Sequence, residues 1–131
     1  VKVKLNPVKD LLKGKRVLIM EDSIIRGTTA KTRVKTLREI GAKEVHMVVS
    51  CPPHAFPCHY GIDFSTRGEL IAAQKSVEEI RDFVGLDSLG YLSIDNLKKA
   101  TAIPDRDLCF ACFNGEYPVP IEKETSKFCL E

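Results

Sequence analysis

Apolar and polar positions in the first fifty residues follow a pattern that predicts a strand, a loop, a helix and a second strand. The turn signal Lys13-Gly14-Lys15 precedes an apolar run in residues 16–20, which is typical of a buried strand. A loop is predicted at 21–29, and beyond it apolar residues recur every three or four positions, as on one face of a helix. These residues are Ala30, Val34, Leu37 and Ile40. Gly41 can end the helix and 45–49 form the second strand, so the segment predicts a parallel βαβ unit.

Helical signals continue after a proline-rich loop that we predict at residues 50–65. Two capping boxes predict short helices over residues 66–73 and 76–85. The capping pairs are Thr66 with Glu69 and Ser76 with Glu79. Ser93 predicts the start of a further helix that buries Leu97 and Ala100, and the last thirty residues predict an irregular tail.

Composition narrows the class of protein. The chain has 131 residues, 44% apolar and 29% charged, which is typical of one globular domain and excludes a disordered chain or a coiled-coil rod. A net charge of +2 gives no electrostatic case for nucleic acid or a membrane surface as partner. No apolar run approaches the roughly 18–20 residues that cross a bilayer.

The chain begins at Val1 rather than at methionine and has no signal-peptide pattern, so we expect a processed or truncated chain. A pair of strands cannot form a stable sheet alone, and we expect the missing strands to come from residues upstream of Val1. The odd number of cysteines, five, favours a cytoplasmic protein with reduced thiols or a metal site over a disulfide framework.

The loop after the first strand carries the candidate chemistry. Glu21 and Asp22 stand where a parallel strand ends, the edge at which open sheets bind ligands. Residues 23–29 supply a glycine, three hydroxyl groups and amides leading into a helix, which together favour a phosphate. Acids beside a phosphate site suggest a phosphorylated sugar with a hydrated Mg²⁺. Rossmann and P-loop patterns are absent, and the plainer alternative is that both acids face solvent while Thr28 caps the helix.

The sequence VLIMEDSIIRGTT at residues 17–29 resembles the phosphoribosyl pyrophosphate (PRPP) motif of type I phosphoribosyltransferases. Within that superfamily it is most similar to the glutamine PRPP amidotransferases. Other segments resemble the same family in the same order, so the resemblance covers essentially the whole chain. They are Leu5–Lys9, Tyr60–Asp63, Thr66–Leu70, Ser88–Ser93 and Cys109–Phe113.

This resemblance implies that the loop binds PRPP. Glu21 and Asp22 would contact the ribose hydroxyl groups and Mg²⁺, and the residues after them would hold the 5′-phosphate. Those residues are Ser23, Ile24, Ile25, Arg26, Gly27, Thr28 and Thr29. The sequence departs from the family at Glu21, where aspartate is more usual. Two alternatives stay open for Arg26, which either pairs with a phosphate or braces the loop through carboxylates.

The implied reaction is a glycosyl transfer: glutamine-derived ammonia attacks the anomeric carbon of PRPP and pyrophosphate leaves, giving 5-phosphoribosylamine for purine biosynthesis. Such a reaction depends on positioning and charge stabilisation, so we expect no catalytic side chain. His46, His54 and His59 are therefore expected to be neither catalytic nor metal-binding.

Two cysteines, Cys109 and Cys112, have a spacing that suits a shared metal centre and equally a redox pair. Cys58 adds a candidate third ligand from the proline-rich loop. The resemblance implies that these three residues hold a [4Fe–4S] cluster, as in one branch of the family, with the fourth ligand before Val1. In the chain alone, Cys51 or Cys129 could substitute, and we expect the site to be empty or to hold Zn²⁺.

The predicted fold is α/β, part of a type I phosphoribosyltransferase fold with a helical and irregular C-terminal extension. We divide it into the βαβ unit with the PRPP loop (1–50), a loop with short helices (51–100) and the cysteine-bearing tail (101–131).

The resemblance also implies a glutaminase domain upstream, purine nucleotides as inhibitors and a homotetramer, with this fragment inactive alone. The alternatives are a salvage-type phosphoribosyltransferase and a non-catalytic nucleotide-sensing or iron–sulfur module.

Overall fold

Three parallel strands form the sheet of the computed structural model, which describes residues 7–62 and 66–120. The strands β1 (Arg16–Glu21), β2 (Glu44–Val49) and β3 (Ser88–Tyr91) lie side by side in that order. Their carboxyl ends therefore share one edge of the sheet. The prediction of an α/β fold with a parallel βαβ unit is confirmed.

Five α-helices and three 3₁₀ turns surround the sheet in the described residues. The helices are α1 (Lys9–Leu12), α2 (Thr28–Ile40), α3 (Val77–Val84), α4 (Ile94–Thr101) and α5 (Ala111–Asn114), and the 3₁₀ turns are Arg67–Glu69, Ile71–Ala73 and Asp105–Asp107. The core lies between the sheet and the two helices α2 and α3. The largest fully buried side chains of the described residues are Val34, Val45, Met47, Leu70 and Ile80.

Two helix boundaries follow the sequence signals closely. Gly41 ends α2 in the left-handed conformation, at a φ of 96°, which a residue without a Cβ adopts at little cost. At α3, the Ser76 hydroxyl accepts a hydrogen bond from the Glu79 amide while the Ser76 amide donates to the Glu79 carboxylate. This capping box confirms the prediction at Ser76. Ser93 likewise caps α4, because its hydroxyl accepts from the amide of Asn96.

The prediction of one short helix from the Thr66–Glu69 pair is wrong, since two separate 3₁₀ turns occupy this segment. The Thr66 side chain makes no capping hydrogen bond, and the Glu69 carboxylate bonds to Arg26 instead. Between the two turns, Leu70 is extended and fully buried. Burying this residue separates the segment into two short turns.

The structure also differs from the sequence predictions in the C-terminal half of the chain. The sequence pattern predicts no strand at Ser88–Tyr91, whereas β3 lies there and extends the sheet from within the chain. Ala100, predicted to be buried, is exposed on α4. The segment predicted as an irregular tail contains a 3₁₀ turn and α5. Residues 121–131, which include Cys129, lie outside the described residues.

One face of the sheet is open in the described part of the chain. Leu18 is 59% exposed and Met20 is 78% exposed on β1, and Val48 beside them on β2 is 39% exposed. Since β1 is also an edge strand of the described sheet, apolar side chains and free backbone groups occur together there. None of the described helices is long and apolar enough to cross a membrane.

Candidate functional site

A cleft of about 290 Å³ opens at the carboxyl end of β1 and is lined by residues 21–30. The structure thus brings together all the loop residues that the sequence singles out, from Glu21 to Thr29. Ile24 is buried in the core, which leaves its backbone rather than its side chain for the cleft. Thr28 and Thr29 are exposed, so their hydroxyl groups are accessible to a ligand.

The backbone of the loop turns sharply into α2. Gly27 occupies the N-cap position with a left-handed φ of 74°, and the amide of Lys31 makes the first helical hydrogen bond, to the Gly27 carbonyl at 2.9 Å. The amides of Thr28, Thr29 and Ala30 precede that bond, so the helix itself offers them no acceptor. Unpaired amides and the helix dipole together make this end of α2 favourable for an anion.

The two acids of the loop have different surroundings. Glu21 forms an ion pair with Arg33 of α2, and both side chains are mostly buried. Asp22 is exposed and accepts a hydrogen bond from the Ser23 hydroxyl at 3.3 Å. Asp22 is therefore the more accessible carboxylate for a ligand. Arg33 cannot be recognised from the sequence pattern, because an ion pair between a strand end and a distant helical turn has no local signal.

Arg26 braces the loop in this structure. Its Nη2 donates to Glu69 Oε1 at 2.8 Å, across a sequence separation of 43 residues. The alternative in which Arg26 acts through a carboxylate therefore describes the structure, and Glu69 is the residue that sequence reasoning did not assign to the site.

Uncharged side chains lie near the carboxyl ends of the neighbouring strands β2 and β3. Cys51 Sγ lies 3.8 Å from His54 Nδ1. Burial, reinforced by Cys112 and Asp22, raises the pKa of the Cys51 thiol to about 11. Burial lowers the pKa of His54 against the opposing charge of Asp22. Burial also raises the pKa of Tyr91 to about 12. At neutral pH these three side chains are predominantly uncharged, so they add no charge to that of the loop carboxylates at this edge.

The other two histidines, His46 and His59, contact side chains outside the cleft. His46 Nδ1 lies 2.8 Å from the Ser88 hydroxyl and His46 Nε2 lies 3.0 Å from Glu44 Oε2, which links β2 to β3. The ring of His59 contacts the ring of Tyr117 at a centroid distance of 5.0 Å. Neither histidine lines the cleft.

The cysteine-bearing segments are tied together through their backbones. The amides of Ala55 and Phe56 both donate to the Cys112 carbonyl, at 3.1 and 3.2 Å. Burial, with added repulsion from Cys58 and Cys109, raises the pKa of the Cys112 thiol to about 11. Cys51, Cys58, Cys109 and Cys112 are all free thiols.

These thiols do not form a complete metal site as arranged. Within the part of the chain that the structure describes, no three Cys, His, Asp or Glu side chains are grouped so that they could hold a metal ion. Cys109 is exposed, whereas Cys58 and Cys112 are half-buried. The donor types are those that bind iron or zinc.

Comparison with known proteins gives a consistent result. The chain is 45% identical over 128 residues to the amidophosphoribosyltransferase of Methanothermobacter thermautotrophicus, covering 98% of this chain and 27% of that protein. It is 51% identical over 133 residues to the amidophosphoribosyltransferase of Synechococcus elongatus, covering 100% of this chain and 27% of that protein. No family model matches.

A solved structure gives the same assignment. Glutamine PRPP amidotransferase from B. subtilis, complexed with ADP and GMP, is similar with a TM-score of 0.83 and 48% sequence identity. The similarity covers 91% of this chain and 27% of that one. The chain therefore spans about a quarter of the length of the relatives it matches.

Proposed function

We propose that this chain, which belongs to the amidophosphoribosyltransferase family, forms the part of the full protein that binds the ribose 5-phosphate moiety of PRPP. The full protein would transfer the phosphoribosyl group to glutamine-derived ammonia and give 5-phosphoribosylamine, the first step of de novo purine synthesis. The observation that carries this proposal is the cleft of residues 21–30, in which an accessible carboxylate, hydroxyl groups and helix amides meet at a strand end.

The 5′-phosphate is proposed to lie against the start of α2. Amides of Thr28, Thr29 and Ala30 have no acceptor within the helix, and the dipole of this 13-residue helix adds partial positive charge. The hydroxyl groups of Thr28 and Thr29 are exposed and can donate to the phosphate oxygens. Fixed amides suit this role because they need no rearrangement when the anion binds.

The ribose hydroxyl groups and a Mg²⁺ ion are proposed to bind at the carboxylates of Asp22 and Glu21. Asp22 is exposed and can accept hydrogen bonds from ribose hydroxyl groups or bind a hydrated Mg²⁺ through its oxygens. Glu21 joins the same site, with its charge partly compensated by Arg33. A bound Mg²⁺ would supply charge stabilisation for the departing pyrophosphate.

The chemistry that follows requires positioning rather than proton transfer by a side chain. The ammonia lone pair forms the new bond to the anomeric carbon as the bond from that carbon to pyrophosphate breaks, and the resulting ammonium group then loses a proton. Positive charge develops on the ribose in the transition state, and the carboxylate of Asp22 would stabilise it electrostatically. The chain's residues thus orient the ribose and hold its phosphate.

Replacing Asp22 with asparagine tests this assignment, because the shape is kept while the charge is removed. We expect PRPP with Mg²⁺ to bind about tenfold to a hundredfold more weakly to the full protein, since losing a hydrogen bond to a charged group costs about 1.5–3 kcal/mol. Titration calorimetry measures this change. Asp82→Asn is the matched control, because Asp82 on α3 is exposed and does not line the cleft. Unchanged affinity in Asp22→Asn would show that the ribose binds elsewhere.

Further properties of the full protein are proposed on the same basis. Purine nucleotides would occupy the cleft through their own phosphate and compete with PRPP, and GMP added to the titration should lower the apparent PRPP affinity. A glutaminase domain outside this chain would supply ammonia, and the full enzyme would be a homotetramer in the cytoplasm. The chain alone, with PRPP, Mg²⁺ and ammonia, is expected to form no phosphoribosylamine.

We also propose that Cys58, Cys109 and Cys112 provide three thiolates for a [4Fe–4S] cluster in the full protein, with the fourth from outside this chain. Support comes from the hydrogen bonds of the Ala55 and Phe56 amides, just before Cys58, to the Cys112 carbonyl, and from the effect of Cys58 and Cys109 on the pKa of Cys112. The cluster is proposed as a structural group that would draw the two segments together.

Anaerobic purification of the full protein tests the cluster, by visible absorbance and by iron and sulfide content. Cys109→Ser should abolish both signals, whereas Cys51→Ser should retain them. Since burial raises the pKa of Cys112 to about 11 and the ligand must be a thiolate, reconstitution of the apoprotein should improve as pH rises. A cluster that survives in Cys109→Ser and is lost in Cys51→Ser would contradict the ligand assignment.

A further inference from the structure

A second segment of the chain, residues 67–73, contacts the loop that lines the cleft. This brace consists of the 3₁₀ turns Arg67–Glu69 and Ile71–Ala73 with the buried Leu70 between them. It contacts the loop at two polar points. The Glu69 carboxylate accepts from Arg26 Nη2 at 2.8 Å, and the Ile71 amide donates to the Ile25 carbonyl at 2.9 Å. Two consecutive loop residues are therefore held by one distant segment.

The brace also fixes the next loop residue by packing. A Cβ at Gly27 would lie 2.9 Å from Cδ1 of Ile71 and 3.2 Å from Cε1 of Phe83, so the loop backbone rests directly on these side chains. Lys31, one turn into α2, places its ammonium 4.2 Å from the centre of the Phe83 ring. Contacts thus continue from Ile25 through Gly27 into the first turn of the helix whose amides form the cleft.

The carboxylate of Glu69 is confined by its surroundings. Its side chain is 28% exposed, against 56% for the side chain of Arg26. Glu69 Oε2 is buried and has no hydrogen-bond partner among the described residues, so the Arg26 bond through Oε1 is the polar contact that orients this carboxylate there. The more buried Glu69 carboxylate is therefore the fixed partner of this pair, and it sets the position of the more exposed guanidinium.

We propose that Glu69 is a positioning residue for phosphate binding: through Arg26 it holds residues 25–28 in the conformation that presents the first amides of α2 to the ligand. This inference rests on the proposed function of the cleft. Glu69 would act by preorganisation, because a loop that is already ordered loses less conformational entropy when a phosphate binds. Arg26 then serves to anchor the loop, and its guanidinium stays on Glu69 in the complex.

A competing arrangement makes the opposite prediction. If Arg26 instead leaves Glu69 to pair with the phosphate, then Glu69 competes with the ligand for the guanidinium. Removing the charge of Glu69 would in that case free Arg26 and tighten binding. The sign of the change in affinity therefore separates a positioning carboxylate from a competing one.

The experiment compares Glu69→Gln, Arg26→Met and the double variant in the full protein, with PRPP and Mg²⁺ as the probe. We expect Glu69→Gln to weaken PRPP binding about threefold to fivefold, the upper part of the range for a partly exposed ion pair, and to raise KM with little change in kcat. Arg26→Met should weaken binding by a similar factor. The double variant should be no weaker than either single variant, since both changes break the same link. Glu69→Asp, which keeps the charge, should restore part of the affinity.

Glu78→Gln on α3 is the control for the change of carboxylate to amide, because Glu78 is exposed and does not line the cleft. Unchanged or tighter binding in Glu69→Gln, with normal PRPP binding by the parent protein, would overturn the positioning role while leaving the proposed function intact. Additive losses in the double variant would overturn it as well. If the parent protein does not bind PRPP, the proposed function itself fails.

Discussion

Gly27→Ala is expected to destabilise the protein by about 2–4 kcal/mol and to reduce PRPP binding well beyond tenfold. Two costs combine. The left-handed backbone, with a φ of 74°, disfavours any residue with a Cβ, and the added methyl group would lie within 3.2 Å of both Ile71 and Phe83. Ile71 is buried, so relief requires a shift of the loop, and that shift moves the amides at the start of α2.

Gly14 offers a matched control. It has nearly the same φ, 73°, but a Cβ there would have no neighbour within 4 Å. Gly14→Ala should therefore show only the conformational cost of about 1–2 kcal/mol and leave PRPP binding unchanged. Thermal unfolding and calorimetric titration of both variants in the full protein measure the two effects. Equal losses of stability would show that the contact with Ile71 and Phe83 does not constrain the loop.

Ile80→Ala should lower the free energy of unfolding by about 2–5 kcal/mol, the usual cost of emptying a fully buried aliphatic position. Ile80 is completely inaccessible at the centre of α3, in the core cluster with Val34, Val45 and Met47. Because α3 also carries Phe83, loss of packing here should secondarily loosen the support behind Gly27. Urea unfolding of the full protein, followed by hydrogen exchange at β2, measures the change.

Ile103→Ala is the control for that substitution. It removes the same atoms from a side chain that is 46% exposed, where the expected change is within about 0.5 kcal/mol. A similar loss from Ile80 and Ile103 would mean that the core does not lie between the sheet and α3.

Local signals account for what the sequence predicts well. The apolar run before Glu21, the helical periodicity from Ala30 and the glycine at 41 are each short-range features, and together they specify the βαβ unit. The Ser76 capping box forms because its hydrogen bonds are local to one turn. The sequence also indicates which residues line the cleft, because Glu21 to Thr29 form one continuous stretch of the chain.

Long-range contacts account for what the sequence does not predict. The capping box predicted at Thr66 does not form, because Glu69 bonds to Arg26 and Leu70 is buried. Neither interaction can be recognised from the neighbouring sequence. β3 is a strand of four residues containing Gly90, and it forms by pairing with β2. The ion pair of Glu21 with Arg33 joins a strand end to a helix. Each of these features requires the folded arrangement of distant segments.

The open face of the sheet has a practical consequence for handling the chain by itself. Leu18, Met20 and Val48 form an apolar row on that face, and Leu18 and Met20 lie on a strand at the edge of the described sheet. Rows of this kind promote self-association and intermolecular strand pairing. Residues 7–120 expressed in isolation should therefore be prone to aggregation, and lysine substitutions at Leu18 and Met20 should improve their solubility.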